Sequence, residues 1–194
     1  MYFYRFARIL LSIIFRFIYR VEVLGIENIP SEGRVIICSN HISTLDPILL
    51  GISIKRPISF MAKKELFKNK FVGKILTMLT AFPVDREGSD LSAIRNSIDI
   101  LTKERILGIF PEGTRITKID IESAKPGVSL IAYKSKSPVI PVYIESSYRI
   151  FSKVMIIIGK PISLYDSYDK KLKTEDHKNI SKQILESIYS LKNK

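Results

Sequence analysis

The sequence is short of the residues that build disulfides, zinc clusters and membrane spans. Among 194 residues there is one cysteine, Cys38, which excludes an intrachain disulfide or a cysteine-based zinc site and gives no sign of an oxidising compartment. Outside the N-terminal segment the longest stretch without formal charge, 35–45, has eleven residues, whereas a spanning helix needs about 20. No repeat, low-complexity tract or linker divides the chain, so one domain is predicted.

Acidic residues are also scarce relative to basic ones. The chain has 31 Lys and Arg against 19 Asp and Glu, a formal net charge of +12. Its 46% of hydrophobic residues excludes general disorder. The excess of positive charge favours an anionic partner, and nucleic acid, a membrane surface and a phosphorylated substrate all fit it. No recognised nucleic-acid-binding module or basic face with stacking aromatics is evident, which disfavours a nucleic-acid partner.

The first twenty residues concentrate the arginines among aromatic and aliphatic side chains and contain no acid. On a helical wheel, a sector of about 120° contains the polar residues Arg5, Arg8, Ser12, Arg16 and Arg20. This pattern predicts an amphipathic helix over 1–20 that lies in a membrane interface and does not span it. The alternative is an ordinary N-terminal helix packed on the core. A cleaved signal peptide fits poorly, because arginines occupy the place of its small-residue cleavage site.

The rest of the chain alternates β-branched runs with helical patterns, which predicts an α/β domain over 21–194 with a mixed, mostly parallel sheet flanked by helices. The predicted strands are 21–24, 35–38, 58–61, 81–84, 106–110, 139–144 and 154–158. The predicted helices are 47–54, 71–79, 89–103, 127–136 and 174–191. In such folds the functional residues lie where strands end.

His41 and Asp46 follow the second predicted strand. An unperturbed imidazole is mostly unprotonated at neutral pH and can act as a general base, with a carboxylate as its orienting partner. Five residues along a continuous helix would separate the two side chains by about 140°, so the segment must turn. Pro47 favours a helix start with Asp46 as the N-cap and 41–45 as a loop that folds back. The alternative is that Asp46 only caps the helix and His41 is a surface residue.

A second polar segment, 110–115, follows the strand 106–110 and reads Phe-Pro-Glu-Gly-Thr-Arg. Gly113 permits close approach of the backbone and Arg115 offers donors suited to a phosphate, which predicts an anion site. The Glu112 carboxylate would repel a dianion unless it positions an arginine or accepts a bond from a substrate hydroxyl, which suggests a polyol phosphate. Arg86, just past the strand 81–84, is either a further phosphate ligand or a solvated arginine.

Several other features carry weaker predictions. Lysines in 63–74 alternate with apolar residues. This pattern is typical either of a second membrane-facing segment or of a solvated surface helix. His177 lies in a charged helix start and is predicted to be solvated. Cys38 and Ser39 could accept an acyl group first, but an apolar strand disfavours that covalent route. No Gly-x-Ser-x-Gly elbow supports a serine-triad hydrolase.

In their order and separation, four segments resemble the motifs of the 1-acyl-glycerol-3-phosphate acyltransferase family: 40–46, 82–86, 110–115 and 139–142. The resemblance runs from about residue 21 to 160 and implies that family's α/β fold. The sequence departs from the family motifs in two places: 116–118 lacks the usual serine, and no isoleucine precedes Phe82. Both departures are small, because neither touches a proposed catalytic atom.

The resemblance implies that His41 deprotonates the free hydroxyl of a lysophosphatidic acid while Asp46 holds the imidazole, and that the oxygen attacks an acyl thioester to give phosphatidic acid. By the same resemblance, substrate-binding residues are Asn40, Arg86, Glu112, Gly113, Thr114, Arg115, Lys125 and Gly127.

The expected partners follow from that reading. Acyl-CoA or acyl carrier protein is the co-substrate, no metal or further cofactor is expected, and the protein is expected to be peripheral or monotopic on the cytoplasmic face of an anionic membrane. Alternatives are a related acyltransferase acting on glycerol 3-phosphate or another lysophospholipid, and a catalytically silent lipid-binding protein. The presence of both His41 and Asp46 favours an enzyme.

Overall fold

The structure is a computed structural model that describes residues 2–85, 90–164 and 169–193. Its strands are Arg20–Leu24 (β1), Val35–Ser39 (β2), Ile58–Lys63 (β3), Phe82–Val84 (β4), Ile106–Ile109 (β5), Val139–Ser146 (β6) and Lys153–Ile158 (β7). Its α-helices are Tyr2–Ile18 (α1), Asp46–Ser53 (α2), Lys70–Met78 (α3), Leu91–Thr102 (α4), Gly127–Ser135 (α5) and Thr174–Ser190 (α6). All predicted strands and helices are present, with ends displaced by one or two residues.

The strands form one sheet in the order β1-β7-β6-β2-β5-β3-β4. Neighbouring strands are parallel except β6 and β7, which are antiparallel and joined by a short connection. This arrangement confirms the predicted α/β fold with a mixed, mostly parallel sheet flanked by helices.

The central strand β2 pairs with β5 on one side and with β6 on the other, all three in parallel. From β2 the chain continues to β3 on the β5 side, whereas from β5 it crosses to β6 on the opposite side. Such a switch point leaves a crevice at the carboxyl ends of the strands. The segments that follow β2, β5 and β6 therefore meet at one edge of the sheet.

Both faces of the sheet are covered, which explains why its strands read as continuous apolar runs. Along β2, Ile36 and Cys38 face a core built with α4, α5 and α6. Val35 and Ile37 face the other core, built with α1 and α2. The central strand is thus fixed from both sides, and so is the position of the residues that directly follow it.

Helix α1 packs on the domain through a single stripe. Tyr4 and Phe15 are buried, and Leu11 and Ile18 are half-buried against the core. The Tyr4 hydroxyl accepts a hydrogen bond from the backbone N–H of Ile58 at 3.2 Å. The N-terminal helix is therefore present and is joined to the domain.

The opposite side of α1 is apolar and exposed. Its exposed large side chains are Tyr2, Phe3, Phe6, Ile9, Leu10, Ile13, Ile14 and Phe17. Among the helices that the structure describes, none combines the length and the apolar character that crossing a membrane requires.

Candidate active site

The loop after β2 brings His41 and Asp46 into contact. His41 Nδ1 lies 2.8 Å from Asp46 Oδ2, and the same carboxylate oxygen accepts the backbone N–H groups of Ile42 and Ser43 at 2.8 and 2.7 Å. Three donors converge on one oxygen because residues 41–45 turn back toward the start of α2. The predicted fold-back of this segment is confirmed.

The predicted role of Asp46 as N-cap is wrong. Helix α2 begins at Asp46 itself, Leu45 occupies the cap position, and Pro47 lies in the first turn. The Asp46 carboxylate accepts the N–H groups of the preceding loop instead of those of the helix that follows. Its bonds therefore shape the loop that carries His41.

The pair is shielded from water. Asp46 is 0% and His41 7% exposed, so the alternative of a surface histidine is wrong. A carboxylate at hydrogen-bond distance from Nδ1 favours the tautomer with the proton on Nδ1, which leaves the lone pair on Nε2. An imidazole held in this way can accept a proton from a hydroxyl group.

An aromatic wall fixes the imidazole plane. The Phe110 ring stacks on His41 with centroids 4.0 Å apart and 16° between the planes, and Phe60 stacks on Phe110 at 5.7 Å. Gly108 makes room for this stack, because a Cβ there would lie 2.2 Å from the Phe60 ring. The sequence predicts Phe110 as the last residue of a strand, but no local pattern indicates that its ring stacks on His41.

The segment 110–115 is tied to the loop of His41. The backbone N–H of Ile116 donates to the His41 carbonyl at 2.8 Å. Gly113 has φ of +73°, a conformation that favours glycine, and Thr114 and Arg115 are exposed. Within the described ranges Arg115 forms no ion pair, so its guanidinium is available to an anion.

Lys125 and Gly127 lie beside this segment. The Lys125 N–H donates to the Pro111 carbonyl at 2.9 Å, and a Cβ added at Gly113 would lie 3.4 Å from Cγ of the Lys125 side chain. Gly127 begins α5, and a Cβ there would meet no atom within 4 Å, so packing does not require glycine. The structure thus brings Lys125, which the family resemblance also names, next to the segment that carries Arg115.

Asn40 does not face the crevice. Its side-chain amide donates to the Ile144 carbonyl at 2.9 Å and its oxygen accepts the Ile144 N–H at 2.7 Å, which continues the pairing of β2 with β6. It is 2% exposed. These bonds fix the start of the His41 loop, and a contact of Asn40 with the substrate stays a prediction.

Glu112 also points inward. It is 2% exposed, and Oε1 accepts the Tyr189 hydroxyl at 2.8 Å, whereas Oε2 has no hydrogen-bond partner among the described residues. Burial, above all, raises the pKa of Glu112 to about 7, although nearby donors, including the His41 backbone N–H, lower it. The Glu112 carboxyl thus packs toward Tyr189 of α6, and a role of Glu112 in holding the glycerol phosphate stays a prediction.

Two further expectations have different outcomes. Arg86 lies outside the described residues. His177 was predicted to be solvated, and that is wrong: it is 7% exposed, its Nδ1 lies 3.0 Å from Ser129 Oγ, and burial lowers its pKa. Its partner is on α5, so the charged sequence around His177 gave no sign of it.

An apolar cavity of about 660 Å³ adjoins the aromatic wall. Phe110, Pro111 and Gly113 form part of its lining, and further walls come from β3, β5, α4 and α5, including Met61, Ile94, Ile109, Val128 and Ile131. This volume is typical of sites for small molecules, and the lining suits a flexible apolar chain.

Other reaction chemistry has little support from the side chains. Cys38 is fully buried, and burial raises the pKa of its thiol, which disfavours the nucleophilic thiolate. Ser39 is fully buried, and its hydroxyl donates to the Asn40 carbonyl at 3.1 Å. Within the described parts of the chain, no histidine, cysteine or acidic side chains are grouped as metal ligands.

The wild-type protein is expected to lose stability as pH rises from 5 to 8, because Glu112 ionises. The variant Glu112→Gln is expected to lack this loss. The folded-state pKa is raised from 4.5 to about 7, so the folded protein binds this proton more tightly than the unfolded chain. The contribution of Glu112 to the free energy of unfolding is fully present below its pKa in the unfolded chain. It is lost as pH rises through its pKa in the folded protein. Urea unfolding at pH 5 and pH 8 should show a loss on the order of 2–3 kcal/mol for the wild type relative to Glu112→Gln.

The matched control is Glu186→Gln, an exposed residue of α6, which should follow the wild type. The assignment fails if Glu112→Gln and the wild type lose the same stability between the two pH values.

Comparison with known proteins identifies the fold and the family. A family model described as Acyltransferase matches residues 20–145. The chain is 38% identical over 169 residues to the 1-acyl-sn-glycerol-3-phosphate acyltransferase of Bacillus subtilis, covering 84% of each chain. It is 32% identical to the enzyme of that name from Borreliella burgdorferi, with 75% of this chain and 59% of that protein covered.

A solved structure agrees with these relatives. The crystal structure of the 1-acyl-sn-glycerophosphate acyltransferase PlsC from Thermotoga maritima superposes with a TM-score of 0.73 at 25% identity. The match covers 99% of this chain and 79% of the other. The family resemblance of the sequence motifs is confirmed, and the chain belongs to the acyltransferase family.

Proposed function

We propose that the protein transfers a fatty acyl group from an acyl thioester to the sn-2 hydroxyl of 1-acyl-glycerol-3-phosphate, giving phosphatidic acid. The observation that carries the proposal is the buried His41–Asp46 pair, joined at 2.8 Å beside an apolar cavity. The names of the relatives support the choice of acceptor.

In the proposed mechanism His41 Nε2 accepts the proton of the acceptor hydroxyl as its oxygen attacks the thioester carbonyl. The carbon–oxygen bond forms, the carbon–sulfur bond breaks, and the leaving thiolate takes the proton back from the imidazolium. Asp46 remains ionised and stabilises the imidazolium through Nδ1. The acyl chain occupies the cavity next to Phe110, and the thioester is that of acyl-CoA or acyl carrier protein.

Replacing His41 with alanine is expected to reduce acyl transfer at least about 100-fold, because a hydroxyl is a weak nucleophile without a general base. The measurement is turnover with lysophosphatidic acid, glycerol 3-phosphate and other lysophospholipids as acceptors, and acyl-CoA and acyl carrier protein thioesters as donors. Urea unfolding of the variant serves as the control for folding.

Near-normal turnover of the folded His41→Ala variant would exclude the mechanism. Preference for an acceptor other than lysophosphatidic acid would contradict the proposed substrate while leaving the base in place. An acyl-enzyme trapped with donor alone would show a covalent route.

We assign the phosphate of the acceptor to the segment 110–115 and the neighbouring Lys125. Arg115 is exposed there, the Lys125 N–H donates to the Pro111 carbonyl, and the N–H of Ile116, next to Arg115, donates to the His41 carbonyl. A guanidinium fork matches phosphate oxygens, and a lysine adds a point charge. Burial raises the pKa of the inward Glu112 carboxyl to about 7, so at neutral pH this group carries less negative charge than an exposed carboxylate would.

The variant Arg115→Ala is expected to lower kcat/KM for lysophosphatidic acid by about 10- to 100-fold, the effect of one lost charge-assisted bond. The matched control is Arg105→Ala, because Arg105 is exposed and directly precedes β5, at the opposite edge of the sheet. Equal kinetics for the two variants would remove Arg115 from the phosphate site.

We further propose that the exposed face of α1 docks on an anionic membrane. Phe6 and Phe17 on this face are 62% and 77% exposed, and arginines line its border. The face continues past the helix end, where the Phe151 N–H donates to the Ile18 carbonyl and both Ile150 and Phe151 are exposed. Lysines in 63–74 beside the exposed Phe71 would add about 1 kcal/mol each near anionic lipid.

The double variant Phe6→Ser with Phe17→Ser is expected to weaken binding to anionic vesicles at least about tenfold, because burying each ring contributes roughly 1.5–3 kcal/mol. Flotation with vesicles at low and high salt measures it, and binding of the wild type should weaken with salt. The matched control is Ile26→Ser with Ile119→Ser, two exposed apolar residues outside α1. If the control loses as much binding as the test variant, α1 is not the docking surface.

A further inference from the structure

A third side chain contacts the His41–Asp46 pair from outside the four segments that resemble the family motifs. The hydroxyl of Tyr148 donates a hydrogen bond to Asp46 Oδ1, the carboxylate oxygen opposite the one that holds His41. Tyr148 lies two residues after β6, the strand next to β2 in the sheet. We propose that Tyr148 is a positioning residue that fixes the Asp46 carboxylate and thereby the orientation of His41, an inference that rests on the proposed function.

The two oxygens of Asp46 are held unequally. Oδ2 accepts His41 Nδ1 and the N–H groups of Ile42 and Ser43, whereas among the described residues Oδ1 accepts a hydrogen bond from Tyr148 only. Because Asp46 is fully buried, an unpaired Oδ1 would have no water in exchange. The Tyr148 bond therefore completes the coordination of the carboxylate and opposes its rotation about the Cβ–Cγ bond.

Tyr148 is itself held in an uncommon backbone conformation. Its φ is +53°, which is unfavourable for a bulky residue, and its N–H donates to Ser146 Oγ at 2.9 Å. Residues in such conformations persist where the surroundings fix them, and they concentrate at functional sites. The turn aims the phenol at Asp46 instead of continuing the strand direction of β6.

The phenol ring is also packed against the end of α1. Tyr19 meets it edge to face, with centroids 6.0 Å apart and 87° between the planes, and Tyr19 in turn packs on Phe15 of α1 at 5.6 Å. The position of Tyr148 thus depends on the helix that we assign to the membrane. This contact gives a physical connection between the docked helix and the catalytic pair.

The ionisable groups around the pair are few and come from separate elements. Glu112, which follows β5, and Tyr148, which follows β6, interact electrostatically with Asp46. Tyr19, which follows α1, interacts electrostatically with Tyr148. Burial and the Asp46 charge raise the pKa of Tyr148, so its hydroxyl remains a donor across the working pH range.

The test is Tyr148→Phe, which keeps the ring and removes the donor. We expect kcat/KM to fall at least about tenfold, as for one lost bond to a charged group. Without that donor Asp46 exerts more of its charge on the imidazolium, so the acidic limb of the kcat/KM profile should move to higher pH by at least about 0.5. The matched control is Tyr133→Phe on α5, which removes a hydroxyl bonded to the Lys170 carbonyl and should keep the wild-type profile.

A double-mutant cycle with Asp46→Asn gives a second measurement. The loss from Tyr148→Phe should shrink at least about fivefold in the Asp46→Asn background, because the charge that the hydroxyl serves is absent. An unmoved acidic limb or strictly additive losses would overturn the proposal and reduce Tyr148 to a packing residue. Such a result would leave the acyltransferase proposal intact, whereas activity in His41→Ala would remove the acyltransfer mechanism itself.

Discussion

A fully buried carboxylate needs donors on every side, and the Asp46 carboxylate obtains them from separate parts of the chain. His41 and two backbone N–H groups come from the loop after β2, and the Tyr148 hydroxyl comes from the turn after β6. These bonds compensate the loss of water around the charge. The loop conformation, the imidazole orientation and the turn at Tyr148 all follow from satisfying this one group.

A second buried carboxyl lies close by and behaves differently. Within the part of the chain that the structure describes, Glu112 Oε1 accepts the Tyr189 hydroxyl and Oε2 has no partner, and burial raises the pKa of Glu112 to about 7. Asp46 contributes to that shift through its negative charge. Asp46 thus holds the imidazole, whereas Glu112 lies within the segment that carries Arg115.

The excess of positive charge divides between two places in the fold. Arginines of α1 border an exposed apolar face, whereas Arg115 and Lys125 lie at the carboxyl edge of the sheet. One stripe of helix α1 packs on the core, whereas another remains exposed, and its docking on a membrane stays a proposal. The contact of Tyr19 with Tyr148 joins the end of α1 to the residue that is bonded to Asp46.

The sequence by itself determined the strands, the helices and the pairing of His41 with Asp46, because hydrophobic periodicity and a five-residue turn are local properties. It also located Arg115 at a strand end. It missed the inward turn of Asn40 and Glu112, the burial of His177 and the role of Tyr148. Their partners Ile144, Tyr189, Ser129 and Asp46 lie 48 to 104 residues away. Only the tertiary structure decides such contacts, because the strand order of the sheet sets which distant side chains become neighbours.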